Sequence, residues 1–373
     1  MDKRSKRKLQ EAGRTNEDFD EKRLTTLASQ SHYVSVLNIS DNALYGEYPP
    51  SPFASWINLI SLRLTTICLL MGFFTNLREL LLSNNQISGS IPPSLGNFKQ
   101  SSRTRRPFHP FYFWRLTNLL VLLLQENQLS GSIPQEIGNL NKMDQLDLSN
   151  NNLTGPIPPS LGNATGLHFL YLYGNLISGS IPQEIGGLKR IIILQFPGNF
   201  LEGPIPSTLG NLTELTKLRN GELTRLQYFY LRNNSISGYL PQMCLGVSLI
   251  EFTAINNSNN RFYGELSSSW GDCRNLTSLK FAGNNITGRI PPHIGQLTQL
   301  GILDLSSNHL EGRFPLSATS KWDKLSNLEL LDLSSKFALG RNAISSREVE
   351  QVGKVKSFLT ICSPVPFLLL LKE

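Results

Sequence analysis

Phe169, Tyr171 and Tyr173 alternate along one short stretch, and Tyr228, Tyr230 and Arg232 repeat that spacing further along the chain. Residues two apart on a strand point to one face. Large rings with polar tips beside a guanidinium are the side chains that most often anchor non-covalent recognition, because they offer wide contact area at low ordering cost. Gln195 and Lys280 hold matching positions and add polar contacts. The alternative is that these aromatics only follow their preference for strands. Candidates for making or breaking bonds do not appear. The chain has no G-x-x-x-x-G-K-[ST] loop, no H-R-D or D-F-G element, no G-x-S-x-G elbow and no H-E-x-x-H pair. His32, His109, His168, His293 and His309 are isolated from one another in sequence, and Cys68, Cys244, Cys273 and Cys362 lack zinc-ligand spacing. The expected class is a binding protein without metal or small-molecule cofactor, not an enzyme.

The elements that place these side chains are written in a repeated phrase. "ISGSIPPSLGNFKQ", "LSGSIPQEIGNLNK", "LTGPIPPSLGNATG" and "ISGSIPQEIGGLKR" are variants of one pattern, LxLxxNx(L/I)(S/T)GxIPxx(L/I)GN(L/F). Its Asn falls at Asn42, Asn85, Asn127, Asn151, Asn175, Asn199, Asn234, Asn260, Asn284 and Asn308, with a 24-residue period from Asn127 to Asn199 and again from Asn260 to Asn308. A fixed period of this length signals stacked coils. The LxL core is a short strand with its leucines inward, and each coil buries them against the next. The Asn amide can satisfy backbone groups of adjacent coils. The Gly suits a backbone that Cβ obstructs, and Ile-Pro fixes an extended exit. The expected fold is α/β, a leucine-rich-repeat solenoid: a curved horseshoe with a parallel β-sheet on the concave face and irregular or 3-10 segments on the convex face. The outward positions flanking the strand leucines are where a ligand would bind, which puts the aromatic rows on adjacent coils of the concave face.

The repeats span 33–335, between a basic, disordered tail over 1–32 and a non-repeat tail over 336–373. The interval from Asn85 to Asn127 is too long for one repeat, and the excess "FKQSSRTRRPFHPFYFWR" at 98–115 is foreign to the pattern. The interval from Asn199 to Asn234 is also stretched, and reads as a repeat cut short at Asn220. Formal charge is +7, but Leu116 to Pro315 holds 12 Lys and Arg against 13 Asp and Glu. The basic residues therefore belong to the tails and the insert, and no nucleic-acid partner is expected. "KRSKRK" at Lys3 to Lys8 reads as a solvated tail. The opening "MDKRSKRKLQ" has no apolar core of a secretion signal, and "FLTICSPVPFLLLL" from Phe358 is too short for a membrane-spanning helix. Cys244 and Cys273 follow their own repeat Asn by 10 and 13 residues, which puts them on neighbouring coils as a candidate bridge, with two buried thiols as the alternative.

The (S/T)GxIP and LGN segments, and "RFYGELSSSWGDCRNLTSLKFAGNNITGRIPPHIGQLTQLGILDLSSNHLEGRFP" above all, resemble the ectodomain of plant leucine-rich-repeat receptor-like kinases and receptor-like proteins over roughly residues 33–335. The resemblance implies a ligand-recognition ectodomain, here truncated and without its kinase. It further implies a peptide or protein ligand, a co-receptor leucine-rich-repeat protein as partner, cell-surface signalling, and a place at the plasma membrane or outside the cell. Two other readings stand beside it: a stand-alone inhibitor of a cell-wall-degrading enzyme, and a truncated or degraded gene product. The resemblance also gives weight to eight glycosylation acceptors of the form Asn-x-Ser/Thr, at Asn38, Asn152, Asn163, Asn211, Asn233, Asn256, Asn275 and Asn285.

Overall fold

The structure is a computed structural model and describes residues 36–38, 40–41, 77–95, 118–209, 216–217, 223–224, 226–240, 249–254, 260–311, 322–333 and 357–360. The N-terminal tail over 1–32, the insert over 98–115, Cys68, Cys244, Cys362, Asn211, Asn256 and the side chain of Asn38 lie outside them. Two compact units divide the chain, Met1–Ile177 and Ser178–Glu373.

In the first unit, the leucine-flanked strands Val36–Asn38, Glu79–Leu81, Val121–Leu123, Gln145–Asp147 and Phe169–Tyr171 pair in parallel, each with the next. Leu80, Leu122, Leu146 and Leu170 at their centres are fully buried. Each coil then bends at its Asn into a second parallel sheet, built from Ser88–Ser90, Gln128–Ser132, Asn152–Gly155 and the start of Leu176–Ser180. The 3-10 helices Pro93–Leu95, Gln135–Asn139 and Pro159–Asn163 close the coils.

The second unit repeats the plan. Ile193–Gln195, Tyr228–Tyr230, Glu251–Thr253, Ser278–Lys280, Ile302–Asp304 and Leu330–Asp332 pair in parallel in that order, and Ser357–Thr360 pairs with Leu330–Asp332. Its second sheet runs from Ser178–Ser180 through Phe200–Gly203, Ser235–Tyr239, Arg261–Glu265 and Asn285–Gly288 to His309–Leu310. Here phenylalanines replace inner leucines at Phe196, Phe229, Phe252 and Phe281, while Leu194, Leu279, Leu303 and Leu331 remain. Phe229 stacks on Phe252 at 5.1 Å between ring centres, and Phe252 meets Phe281 edge-on at 5.0 Å and stacks on Trp270 at 5.9 Å.

The asparagine reading holds in detail. Asn151 Nδ2 donates to the carbonyls of Leu124 on the preceding coil and of Leu148 and Ser149 on its own, while its Oδ1 accepts from the Leu129 backbone N–H. Asn234 and Asn308 repeat the four bonds. Among the described residues, the one before the repeat Asn takes a left-handed backbone, with φ between 51° and 57° at Asn84, Glu126, Asn150, Asn233 and Ser307, a requirement the repeated phrase had not revealed. Neither stretched interval breaks the ladder. Glu79–Leu81 pairs directly with Val121–Leu123 across the insert. Ile193–Gln195 pairs directly with Tyr228–Tyr230, and the residues between include a small antiparallel pair, Thr216–Lys217 with Leu223–Thr224. Register is set by which side chains must be buried, and closing a longer loop adds only a slowly rising entropy cost.

Candidate ligand-binding face

On the first unit, Phe169, Tyr171 and Tyr173 stand half-buried on the open side of the first sheet. Gln145 lies opposite Phe169 in register, and Asp147 opposite Tyr171. Asp147 is 8% exposed. One of its carboxylate oxygens accepts both the Ser149 N–H at 3.0 Å and the Ser149 hydroxyl at 2.6 Å. Burial raises its pKa from the ordinary 3.8, against the lowering by the Ser149 side-chain and backbone bonds, and Glu126 adds to the rise. Burial, then Asp147 and Tyr173, also raise the Tyr171 phenol. Just before these strands, His168 Nδ1 meets Asp144 Oδ1 at 2.5 Å, so one of the sequence-isolated histidines is tied to a carboxylate one coil earlier.

A group whose pKa rises on folding favours the folded state most below its unfolded value, and that contribution is lost as pH climbs through the folded value. Asp147→Asn, whose amide oxygen can still accept from Ser149, is therefore expected to raise the urea midpoint at pH 7. The difference from the parent should close as pH falls towards 3.8. An equal difference at all pH values would contradict the assignment.

On the second unit, the Tyr228 and Tyr230 rings lie nearly parallel, 16° apart with centres separated by 6.5 Å. The Tyr230 hydroxyl donates to Glu251 Oε2 at 2.8 Å, and Glu251 Oε1 accepts from the Thr253 hydroxyl at 3.3 Å. Lys280 Nζ stands 3.9 Å from the same oxygen. Gln195 is beside Tyr230 in register, and Asp304 beside Lys280, its carboxylate held by the Ser306 N–H and hydroxyl. Arg232 is exposed. A stacked aromatic pair thus adjoins a fixed row of alternating charge.

Two sequence expectations change here. The coils flanking Tyr228–Tyr230 are Ile193–Gln195 and Glu251–Thr253, so the two aromatic rows are not on adjacent coils. Glu251, the hub of the polar row, is a functional candidate that pattern-reading missed. Its strand sits three residues further from its Asn than in other repeats, and so dropped out of register. The spacing Leu249, Phe252, Ala254, which matches Leu226, Phe229, Leu231, is the signal that recovers it.

Among the glycosylation candidates, Asn152, Asn163, Asn275 and Asn285 are exposed, whereas Asn233 is half-buried with its Oδ1 shut away from solvent. Cys273 is buried and disulfide-bonded. Its expected partner, Cys244, lies outside the described residues. Among the described residues no helix is long and apolar enough to cross a membrane, and no group of His, Cys, Asp and Glu is placed to hold a metal ion.

Coils of this kind define a leucine-rich-repeat solenoid. Residues 76–98, 118–140, 142–164, 166–188, 225–246 and 275–297 match the Leucine Rich Repeat family model, so these six segments are such repeats. No curated protein matches it in sequence. Among solved structures it is similar to a TDR receptor, at 25% identity and a TM-score of 0.62 over 82% of this chain and 48% of that one. It also aligns with the ectodomain of the plant membrane receptor kinase GASSHO1/SCHENGEN3 from Arabidopsis thaliana, at 28% identity and a TM-score of 0.47 over 82% of this chain and 36% of that one. A leucine-rich-repeat protein of Leptospira interrogans matches at 23% identity and a TM-score of 0.50, over 91% of this chain and 85% of that one, a likeness of fold alone. The chain spans about half the length of the TDR receptor structure.

Proposed function

We propose that the chain is the ligand-recognition part of a plant receptor-type protein, that its ligand is a peptide, and that the binding face of the second unit is centred on Tyr228, Tyr230, Arg232, Glu251 and Lys280 with Gln195 at its margin. The observation that carries this is the Tyr230–Glu251–Lys280 row beside the stacked tyrosines. Rings already held in place lose little freedom on binding, and a fixed sequence of charges selects one ligand register over another. Similarity to the TDR receptor supports the receptor class. Phe169, Tyr171 and Tyr173 are the corresponding contact surface of the first unit. Display at the cell surface, and signalling through a co-receptor with leucine-rich repeats, belong to the same proposal.

The test is selection of binders from a random peptide library on the full chain, followed by calorimetry with the selected peptide. Tyr228→Ala and Tyr230→Ala are each expected to weaken binding by at least about tenfold, as central aromatic anchors do. Lys280→Glu should re-select peptides of altered charge. Affinity unchanged in the Tyr228→Ala, Tyr230→Ala double variant would remove this face from consideration.

A further inference from the structure

The second sheet of the second unit carries its own aromatic patch, on a different face from the proposed ligand row. Tyr239 is 70% exposed and Tyr263 45%. Their rings meet edge-to-face with centres 4.8 Å apart. The Tyr239 ring lies against Gly264, so close that a Cβ there would come within 2.5 Å of it. Two adjacent exposed rings form a small apolar patch that a ligand can cover.

The occupant is indicated by the neighbouring strand. Asn285, Ile286 and Thr287 form a glycosylation acceptor, and Asn285 stands directly opposite Tyr263 in the parallel ladder. Phe262 and Ile286 point inward and are fully buried, while Tyr263, Asn285 and Thr287 point outward together. Adjacent strands lie about 4.8 Å apart, so a sugar on the Asn285 amide begins beside the Tyr263 ring. The same repeat position supplies an internal comparison. Asn152 also follows its repeat Asn, heads the acceptor Asn152-Leu153-Thr154 and is exposed, but the residue opposite it is Ser130.

We propose that Asn285 carries an N-linked glycan whose first N-acetylglucosamine lies on the Tyr263 ring, with Tyr239 extending the platform, so that the glycan is a packed part of the second unit. In the transfer step the Asn285 amide nitrogen bonds to the anomeric carbon of an oligosaccharide carried on a lipid pyrophosphate. The carbon–oxygen bond to that pyrophosphate breaks, the pyrophosphate leaves with the electron pair, and the amide gives up one proton. Donor and transferase come from the secretory pathway of the producing cell. The C–H face of the sugar then meets the electron-rich face of the tyrosine.

The full chain, fused to a secretion leader and produced in plant cells held at the high-mannose stage, is the material for the test. Glycopeptide mass spectrometry is expected to find Asn285 occupied. Asn285→Gln should lower the Tm by roughly 2–4 °C when Tyr263 is present, and leave it unchanged in a Tyr263→Ser background. Asn152→Gln should change neither. Trimming with an endoglycosidase that leaves one N-acetylglucosamine should preserve the Tm, and complete release by an amidase should reproduce the loss, which separates the sugar's effect from that of the Gln substitution. An unoccupied Asn285, or a loss of the same size with Ser at 263, overturns the proposal and leaves the tyrosine pair free for a protein partner.

Discussion

Gly138→Ala is expected to destabilise the first unit by about 3 kcal/mol, the upper end of overpacking costs. Gly138 is buried in the 3-10 helix Gln135–Asn139, and a Cβ there would sit 1.9 Å from the Ser160 carbonyl oxygen and 2.4 Å from its carbon. The obstacle is backbone of the next coil, so no rotamer change can relieve it. That coil is also tied in place, because the Ser160 hydroxyl donates to the Gln135 carbonyl at 2.6 Å. The spacing recurs in the second unit, where a Cβ on Gly186 would meet the Thr208 carbonyl oxygen at 2.5 Å and one on Gly271 the His293 carbonyl oxygen at 2.6 Å. Gly131→Ala is the comparison that isolates the cause. Its backbone is left-handed, φ 75°, yet a Cβ would meet only Ser90 Cβ at 3.4 Å. Its cost should be that of backbone strain alone, about 1–2 kcal/mol. Urea unfolding of the two variants gives the order directly. A Gly138→Ala loss no greater than that of Gly131→Ala would show that the coils can slide apart, and that the glycine does not set their spacing.

The two glycines also show what the sequence made legible. Both recur in the repeated phrase, so their importance was visible, but their reasons differ. For the Gly of SGxIP the reason is local conformation, which a single coil reveals: Gly131, Gly155, Gly179 and Gly203 all have φ between 73° and 75°. For the Gly of LGN it is proximity to another coil, which no one coil contains. The second sheet was hidden for a similar reason. Ser88-Gly89-Ser90 has neither a hydrophobic run nor β-branched residues, and its pairing with Gln128–Ser132 follows from stacking identical coils in register.

At the candidate site the legible part was the direction of side chains. Alternation around buried Leu170 and Phe229 correctly put Phe169, Tyr171, Tyr228 and Tyr230 on the open side. Neighbours across the sheet were not legible, because they depend on how many residues each coil leaves out of the ladder. Counting repeats put the two aromatic rows side by side. Pairing puts Gln195 and Thr253 on either side of Tyr230. Glu251, which receives the Tyr230 hydroxyl, could enter only once that pairing was known.

The second large effect is expected at Asn151, where one 7%-exposed side chain serves two coils. Its Nδ2 bonds lie at 3.0, 3.2 and 3.0 Å from the Leu124, Leu148 and Ser149 carbonyls, and its Oδ1 takes the Leu129 N–H at 2.9 Å. Alanine removes all four bonds; the Leu124 and Leu148 carbonyls keep the amides of Asn127 and Asn175, and the Ser149 carbonyl keeps the Glu126 N–H, but the buried Leu129 N–H loses its acceptor. An unpaired buried N–H costs about 1–3 kcal/mol and each of the three bonds lost from carbonyls that keep another donor about 0.5 kcal/mol more, so Asn151→Ala should lose about 3–4 kcal/mol in urea unfolding. Asn152→Ala, one residue on and exposed, should stay within about 0.5 kcal/mol of the parent when the chain is made without glycans. Asn151→Asp separates hydrogen bonding from shape. It keeps the acceptor for Leu129 but turns oxygen lone pairs towards three carbonyl oxygens, so it should be no better than alanine at pH 7. As pH falls the carboxyl takes up a proton and regains one donor, and the Asp variant should then recover part of the loss while the Ala variant does not. If Asp instead matches the parent at every pH while Ala does not, the asparagine contributes its volume rather than its hydrogen bonds, and the coils are held together by packing alone.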